Sequence, residues 1–155
     1  MRIETIEHEQ KSQFSPWVAA GLAEWSKGED AKFNGEAVGE ADQIILVLLL
    51  SDPDYILRIL FKEDERIGFA IERRNSEDWL LGIVLWLEPK ERRLTWLPAY
   101  FKRLREIAGA EGFYGIRFDS TLPFWQLVAP ASGFRFDGEQ SQLFGPPVLR
   151  WRMEV

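Results

Sequence analysis

Positive charge concentrates in one stretch of this acidic chain. Six basic residues lie between positions 90 and 105 with Glu91 as the only acid, so the stretch carries +5 while the whole chain carries −6. They are Lys90, Arg92, Arg93, Lys102, Arg103 and Arg105. Lysine and arginine at this density bind anions such as phosphate, but charge runs are also common on solvated helix faces. The stretch therefore predicts either an anion site or an exposed helix surface.

Other side chains with reactive groups are few. The sequence has no cysteine and a single histidine, His8. This excludes disulfides, thiol nucleophiles and the usual zinc sites, which are built mainly from cysteine and histidine, and we expect no metal site. We expect His8 to lie at the surface near a strand end, because a histidine acts as a base only where partners position it.

Length and composition are typical of one globular domain. No linker or repeat divides the 155 residues, so we expect a single domain over residues 1–155. The longest apolar run, residues 44–50, is too short to cross a bilayer, and the charged N-terminus does not resemble a signal peptide. We expect a cytoplasmic protein with no membrane contact. The negative net charge disfavours nucleic acid as a partner.

Hydrophobic spacing predicts alternating strands and helices in the order β α α β β β α β α β β. This order predicts an α/β (α+β) fold with a mixed, mostly antiparallel sheet flanked by helices. One helical crossover joins the strand at 79–87 to the next strand, which makes these two strands parallel or nearly neighbouring. The predicted strands are 2–6, 55–61, 66–73, 79–87, 114–118, 134–137 and 148–153.

The predicted helices have recognisable start signals. Ser15 before a proline, and Thr95 before the basic helix, are hydroxyl residues of the type that cap helix starts. Residues 41–51 form an apolar run that fits a buried strand or a helix covered on all faces, and its acidic lead-in favours the helix. A short helix is expected at 122–131, whereas 27–40 is predicted to be a loop.

Several stretches along this order resemble the GNAT superfamily of acyl-CoA N-acyltransferases. LLLSDPDYILRILFKEDERIGFAIE resembles the family's second helix, acidic turn and paired strands. LEPKERRLTWLPAYFKRLREIAGAEGF resembles its pyrophosphate-binding strand, loop and helix, and FDSTLPFWQLVAPASGFRFDGE the region that closes its fold. The resemblance implies a GNAT-like sheet in which acyl-CoA inserts between two splayed strands. Its pyrophosphate then lies at the N-terminus of the next helix, where free N–H groups attract anions.

The resemblance also implies which residues meet the cofactor. Arg93 takes the first place in the family's pyrophosphate loop, with Arg92 beside it. Trp96 and Pro98 stand where the family has small residues. An indole occupies space that a phosphate needs and a proline lacks an N–H donor, so both residues act against CoA binding.

Two acids are candidates for the family's general base. Glu88, just past the apolar strand 79–87, is the nearer candidate, and Glu72 at the end of the preceding strand is the weaker one. Each is also a plausible structural charge at a strand end. Where the family often has a tyrosine as general acid, this chain has Trp125, which has no hydroxyl to donate.

Two functions are compatible with these residues. The altered loop favours a non-catalytic GNAT-like module without cofactor, such as a virion or assembly component similar to the small GNAT-like proteins of short-tailed bacteriophages. Such a module has a protein partner or forms a homo-oligomer, and the 7 tryptophans suit an interface. The alternative is a divergent N-acyltransferase that uses acetyl-CoA and acts on an amine.

Overall fold

Seven strands and four α-helices make up the part of the chain that a computed structural model describes, residues 1–27, 41–143 and 146–155. The strands are β1 Arg2–Ile6, β2 Tyr55–Lys62, β3 Glu65–Arg74, β4 Trp79–Leu87, β5 Gly115–Ser120, β6 Arg135–Gln140 and β7 Val148–Glu154. The helices are α1 Ser15–Trp25, α2 Ala41–Ser51, α3 Leu97–Ala110 and α4 Trp125–Ala131. The predicted loop at 27–40 lies outside the described residues from position 28 onward. No helix within the described ranges is long and apolar enough to cross a membrane.

The strands form one mixed sheet in the order β1-β2-β3-β4-β5-β7-β6. The pairs β1–β2, β2–β3, β5–β7 and β6–β7 are antiparallel, whereas β4 and β5 are parallel. The parallel pair follows from the helical crossover through α3, because a helix between two strands returns the chain to the same end of the sheet. The predicted mixed, mostly antiparallel α/β sheet with one crossover is confirmed.

Contacts group the chain into two compact units. The first unit comprises Met1–Arg73 and Ile83–Arg92, and the second comprises Arg74–Gly82 and Arg93–Val155. Strand β4 contributes residues to both units. The single domain expected over 1–155 stays a prediction.

In the first unit, α1 and α2 pack on one face of the sheet. Val18 and Leu22 of α1 and Leu49 of α2 are almost fully buried in this core. The strands contribute Leu57, Ile59, Phe69, Ile71, Val84 and Trp86. The helix predicted at 41–51 is confirmed. It is not covered on every face, because Ile44 and Val47 are exposed.

In the second unit, the core forms around the apolar stripe of α3. The buried residues of this stripe recur at helical spacing, with Tyr100 at 2% exposure; they are Leu97, Tyr100, Phe101, Leu104 and Ala108. Phe101 packs edge-to-face on Phe134 at 4.8 Å between ring centroids, and Phe118 lies 4.7 Å from Trp125. Trp125 is therefore a core residue at the first position of α4, which begins there and not at 122.

Neither predicted hydroxyl cap forms. A 3-10 helix, His8–Phe14, runs directly into α1, so Ser15 is already helical and makes no cap. Before α3, the 3-10 turn Leu94–Trp96 contains Thr95, and no side chain caps the helix start. The two predictions were wrong because a preceding 3-10 turn already supplies helical geometry, which local cap patterns do not reveal.

Candidate functional site

Two members of the basic stretch belong to the first unit, and both have acidic partners. The Nζ of Lys90 donates to Glu65 Oε1 at 2.7 Å. This hydrogen bond and the opposite charge raise the pKa of Lys90 and lower the pKa of Glu65. The guanidinium of Arg92 donates from Nε to the Leu87 carbonyl oxygen at 2.9 Å and pairs with Glu24 of α1. An incoming phosphate would compete with these acids.

Arg93 is placed differently at the start of the second unit. Its side chain is exposed, and that side chain makes no hydrogen bond or ion pair with the residues that the structure describes. It precedes the N-terminus of α3, where Trp96 is the capping residue and no side chain accepts a hydrogen bond from the first turn. The 3-10 turn engages the N–H of Trp96, which donates to the Arg93 carbonyl oxygen at 3.5 Å. No side chain caps the first turn of α3 itself, and the positive end of the helix dipole there attracts anions.

Trp96 and Pro98 modify this helix start. The indole of Trp96 is half-buried and packs edge-on against Tyr100, with 5.5 Å between ring centroids. Residues four apart share one side of a helix, so this packing directs the indole along the flank of α3. Pro98 occupies the first turn and removes one N–H donor. The helix start and Arg93 therefore fit a pyrophosphate, with one donor fewer than a chain without the proline.

Glu88 immediately follows β4 in the first unit. Its side chain is half-buried, and its backbone N–H donates to the Ile67 carbonyl oxygen at 2.8 Å. Its carboxylate Oε1 accepts a hydrogen bond from Trp17 Nε1 of α1 at 3.2 Å. The sequence patterns give no sign of this indole partner, since Trp17 is 71 positions away.

The weaker base candidate, Glu72, has a structural role. Its carboxylate accepts two hydrogen bonds from Arg58 Nε, at 2.8 and 3.1 Å, and both side chains are almost completely buried. Arg58 also donates to Thr5 Oγ1 at 2.6 Å. The pair joins β2 and β3 inside the sheet, which leaves Glu72 committed to Arg58.

Sequence reasoning also missed a buried lysine. Lys11 is 3% exposed, and its Nζ donates to the carbonyl oxygens of Leu49 at 2.9 Å and Tyr55 at 2.5 Å. It lies 3.0 Å from Nδ1 of His8, which is half-buried just after β1. Burial lowers the pKa of Lys11, and the charge of Asp52 opposes that change. The ammonium satisfies one carbonyl near the end of α2 and one at the start of β2, so this group stabilises the connection between the two elements.

An acidic depression of about 240 Å³ lies in the second unit. Asp119, Asp137, Glu139 and Arg150 are among the residues that line it. Arg150 pairs with Asp119 at 3.2 Å, so part of the negative charge is neutralised within the depression. No group of three or more acidic or histidine side chains in the described ranges could hold a metal ion.

Comparisons by sequence and by structure give different results. No protein-family profile matches the sequence, and no curated protein sequence matches it. Solved structures do match: aminoglycoside 6'-acetyltransferase type Ii has a TM-score of 0.70 and 14% identity over 99% of this chain and 97% of its own. A GNAT-family protein from Desulfovibrio desulfuricans gives 0.70 and 13% over 99% and 98%. Spermidine N-acetyltransferase from Vibrio cholerae, solved with CoA and spermine, gives 0.71 and 10% over 99% and 94%.

These identities are low, so the likeness concerns the fold. It extends over nearly the full length of both chains in each comparison. It also agrees with the strand order, the parallel β4–β5 pair and the crossover through α3. The chain has the fold of the GNAT acetyltransferases.

Proposed function

We propose that the protein is an acyl-CoA-dependent N-acetyltransferase that acts on an amine. The structures of similar fold include acetyltransferases named for an aminoglycoside and for spermidine, and the latter was solved with CoA. Both substrate classes carry amino groups. These structures of similar fold support an N-acetyltransferase over a module without cofactor. From the sequence alone, the acetyltransferase was the alternative and the module the favoured function. No comparison supports a bacteriophage virion component.

The observation that carries the proposal is the start of α3 together with Arg93. The helix has no side-chain cap, and the side chain of Arg93 is exposed and has no hydrogen-bond or ion-pair partner among the described residues. A pyrophosphate can accept hydrogen bonds from the first-turn N–H groups and from a guanidinium, which binds phosphate in a bidentate manner. We assign this contact to Arg93, while Arg92, held by Glu24 and the Leu87 carbonyl, is the secondary candidate.

Trp96 and Pro98 are expected to weaken this contact without abolishing it. Pro98 removes one donor, and a hydrogen bond to a charged group contributes about 1.5–3 kcal/mol. The packing of Trp96 on Tyr100 gives the indole a structural role beside the helix start. We therefore expect this protein to bind acetyl-CoA less tightly than a chain with small residues in place of Trp96 and Pro98.

The chemistry requires a group that removes a proton from the acceptor. When bound, acetyl-CoA would supply the acetyl group as a thioester: a C–N bond to the amine would form and the C–S bond would break, with the sulfur leaving as a thiolate that takes a proton from solvent. We assign the amine proton to the carboxylate of Glu88. A positioned carboxylate that accepts this proton contributes about 10²–10⁴-fold to the rate.

The test measures acetyl transfer to spermidine and to an aminoglycoside. Release of the CoA thiol and the mass of the product are the two readouts. We expect Glu88→Gln to lower kcat by about a hundredfold or more, because the amide cannot take the proton. Glu77→Gln, at an exposed glutamate, is the matched control and should retain activity. Equal rates for Glu88→Gln and wild type would remove Glu88 from the reaction, and no acetylated product from either amine class would count against the enzyme itself.

A further inference from the structure

The carboxylate of Glu88 is held from one side only. Its Oε1 accepts the hydrogen bond from Trp17 Nε1 at 3.2 Å. Within the described ranges Oε2 accepts no hydrogen bond, although the charge of Lys90 acts on this carboxylate. One oxygen is therefore fixed by the indole, and the other is available to accept a proton.

Trp17 is itself fixed by the core of the first unit. Its ring packs edge-to-face on Phe69 at 5.5 Å and on Trp86 at 5.8 Å. The guanidinium of Arg66 lies 4.9 Å from the indole ring centre, within cation–π range. With neighbours on several sides, the indole cannot turn without disturbing β3 and β4, so its N–H points in a fixed direction.

The main chain of Glu88 is fixed as well. Its N–H donates to the Ile67 carbonyl oxygen at 2.8 Å, and a 3-10 turn, Pro89–Glu91, follows directly. The proline in that turn restricts the backbone further. The remaining freedom of Glu88 lies in its side-chain torsions, and these are what the indole hydrogen bond restrains.

We infer that Trp17 is a positioning residue that orients the Glu88 carboxylate for proton transfer; this inference rests on the proposed function, in which Glu88 is the base. A charge-assisted hydrogen bond holds a carboxylate in one rotamer more firmly than packing alone. Enzymatic bases depend on such orientation, because small displacements of a reacting group lower the rate strongly. Trp17 contacts neither acceptor nor cofactor in this assignment and acts through Glu88.

The alternative is that Trp17 only fills the core. Trp25 provides the matched comparison, because it lies in the same helix, is half-buried and packs against the same core. In the described part of the chain it makes no hydrogen bond to Glu88. Trp17→Phe and Trp25→Phe therefore make the same chemical change, and only the first removes a hydrogen bond to the carboxylate.

The first experiment does not depend on activity. In an NMR spectrum of the ¹⁵N-labelled full chain, we expect the Trp17 indole N–H resonance to move upfield in Glu88→Gln, since a neutral amide oxygen replaces a carboxylate. The Trp25 resonance should stay in place. A Trp17 resonance unchanged by Glu88→Gln would mean that the hydrogen bond is absent in solution, and the inference would fail whether or not the protein is an acetyltransferase.

The second experiment measures acetyl transfer to spermidine. We expect Trp17→Phe to lower kcat by about tenfold with the amine KM unchanged, as the loss of one hydrogen bond to a charged group predicts. Trp25→Phe should leave kcat near wild type. In the Glu88→Gln background, Trp17→Phe should have no further effect on kcat, because the two residues act as one unit.

Three outcomes separate the inference from the function on which it rests. If acetyl transfer is observed, two results would overturn the positioning role of Trp17. One is additive effects of Trp17→Phe and Glu88→Gln on kcat, and the other is equal effects of Trp17→Phe and Trp25→Phe on kcat. A protein that fails to bind acetyl-CoA would contradict the proposed function instead. Calorimetry with acetyl-CoA, which does not involve Glu88, identifies that case.

Discussion

Arg58 and Glu72 are the most deeply buried charges in the described residues, with side-chain exposures of 0% and 3%. A charge that loses its partner inside a protein keeps the cost of desolvation without the compensating attraction. We expect Glu72→Ala to lower the free energy of unfolding by about 3–5 kcal/mol. Chemical denaturation monitored by tryptophan fluorescence measures this change.

The exposed pair of Lys90 and Glu65 is the control for Glu72. Both side chains are more than 60% exposed, so water screens their attraction. Glu65→Ala should therefore change the stability little. If Glu72→Ala is no more destabilising than Glu65→Ala, the buried pair does not stabilise the sheet in the way its geometry indicates.

At the residue level, the sequence identifies candidates where a residue adjoins a recognisable element or motif. Glu88 is a candidate because it lies just past a predicted strand, and Arg93 because its stretch resembles the family's pyrophosphate loop; both roles stay predictions. The burial of Lys11 and the Trp17–Glu88 contact could not be predicted, since both depend on residues that are 38 to 71 positions apart in the sequence. Local patterns contain no information about which distant side chain will fill a given space.

At the scale of elements, Gly21 determines how closely α1 approaches the sheet. A Cβ at this position would lie 2.5 Å from the Phe69 ring and 2.9 Å from Trp86, closer than carbon atoms can pack. We expect Gly21→Ala to destabilise the protein, because overpacking costs about 1–3 kcal/mol and exceeds the roughly 0.5–1 kcal/mol gained in helix propensity. Thermal unfolding followed by circular dichroism tests this.

Gly109 in α3 is the matched control. Nothing lies within 4 Å of a Cβ added there, so only the propensity gain applies. Gly109→Ala should raise stability by about 0.5–1 kcal/mol. A Gly21→Ala variant that is stabilised to the same extent would show that α1 is not packed as closely as the structure indicates.

Most elements could be predicted because hydrophobic period and turn residues determine them locally. Strand β4 was predicted with its observed bounds, and the apolar run of α2 was assigned correctly from its acidic lead-in. The helix caps were wrong because each depends on the 3-10 turn that precedes it. That turn has no distinctive residue pattern, so its effect on the cap could not be foreseen.

For the whole molecule, the fold is far easier to predict than the function. The order of elements predicts a mixed sheet with one helical crossover, and the resemblance of three stretches implies the GNAT fold. The altered loop at Trp96 and Pro98, in contrast, pointed to a protein without cofactor. In the structure Trp96 packs on Tyr100, and no side chain caps the start of α3. The loop therefore argues less strongly against cofactor binding than its sequence does. A protein partner or homo-oligomer stays a prediction; four of the seven tryptophans are half-buried and none is fully exposed.

The central claim is tested most directly by calorimetric titration of the full chain with acetyl-CoA. We predict binding to the wild type, a Kd raised about tenfold or more in Arg93→Ala, and no change in Arg105→Ala. Arg105 is the control because it is exposed further along α3, away from the helix start, and its side chain has no partner among the described side chains. The absence of acetyl-CoA binding by the wild type, even at millimolar concentration, would contradict the account.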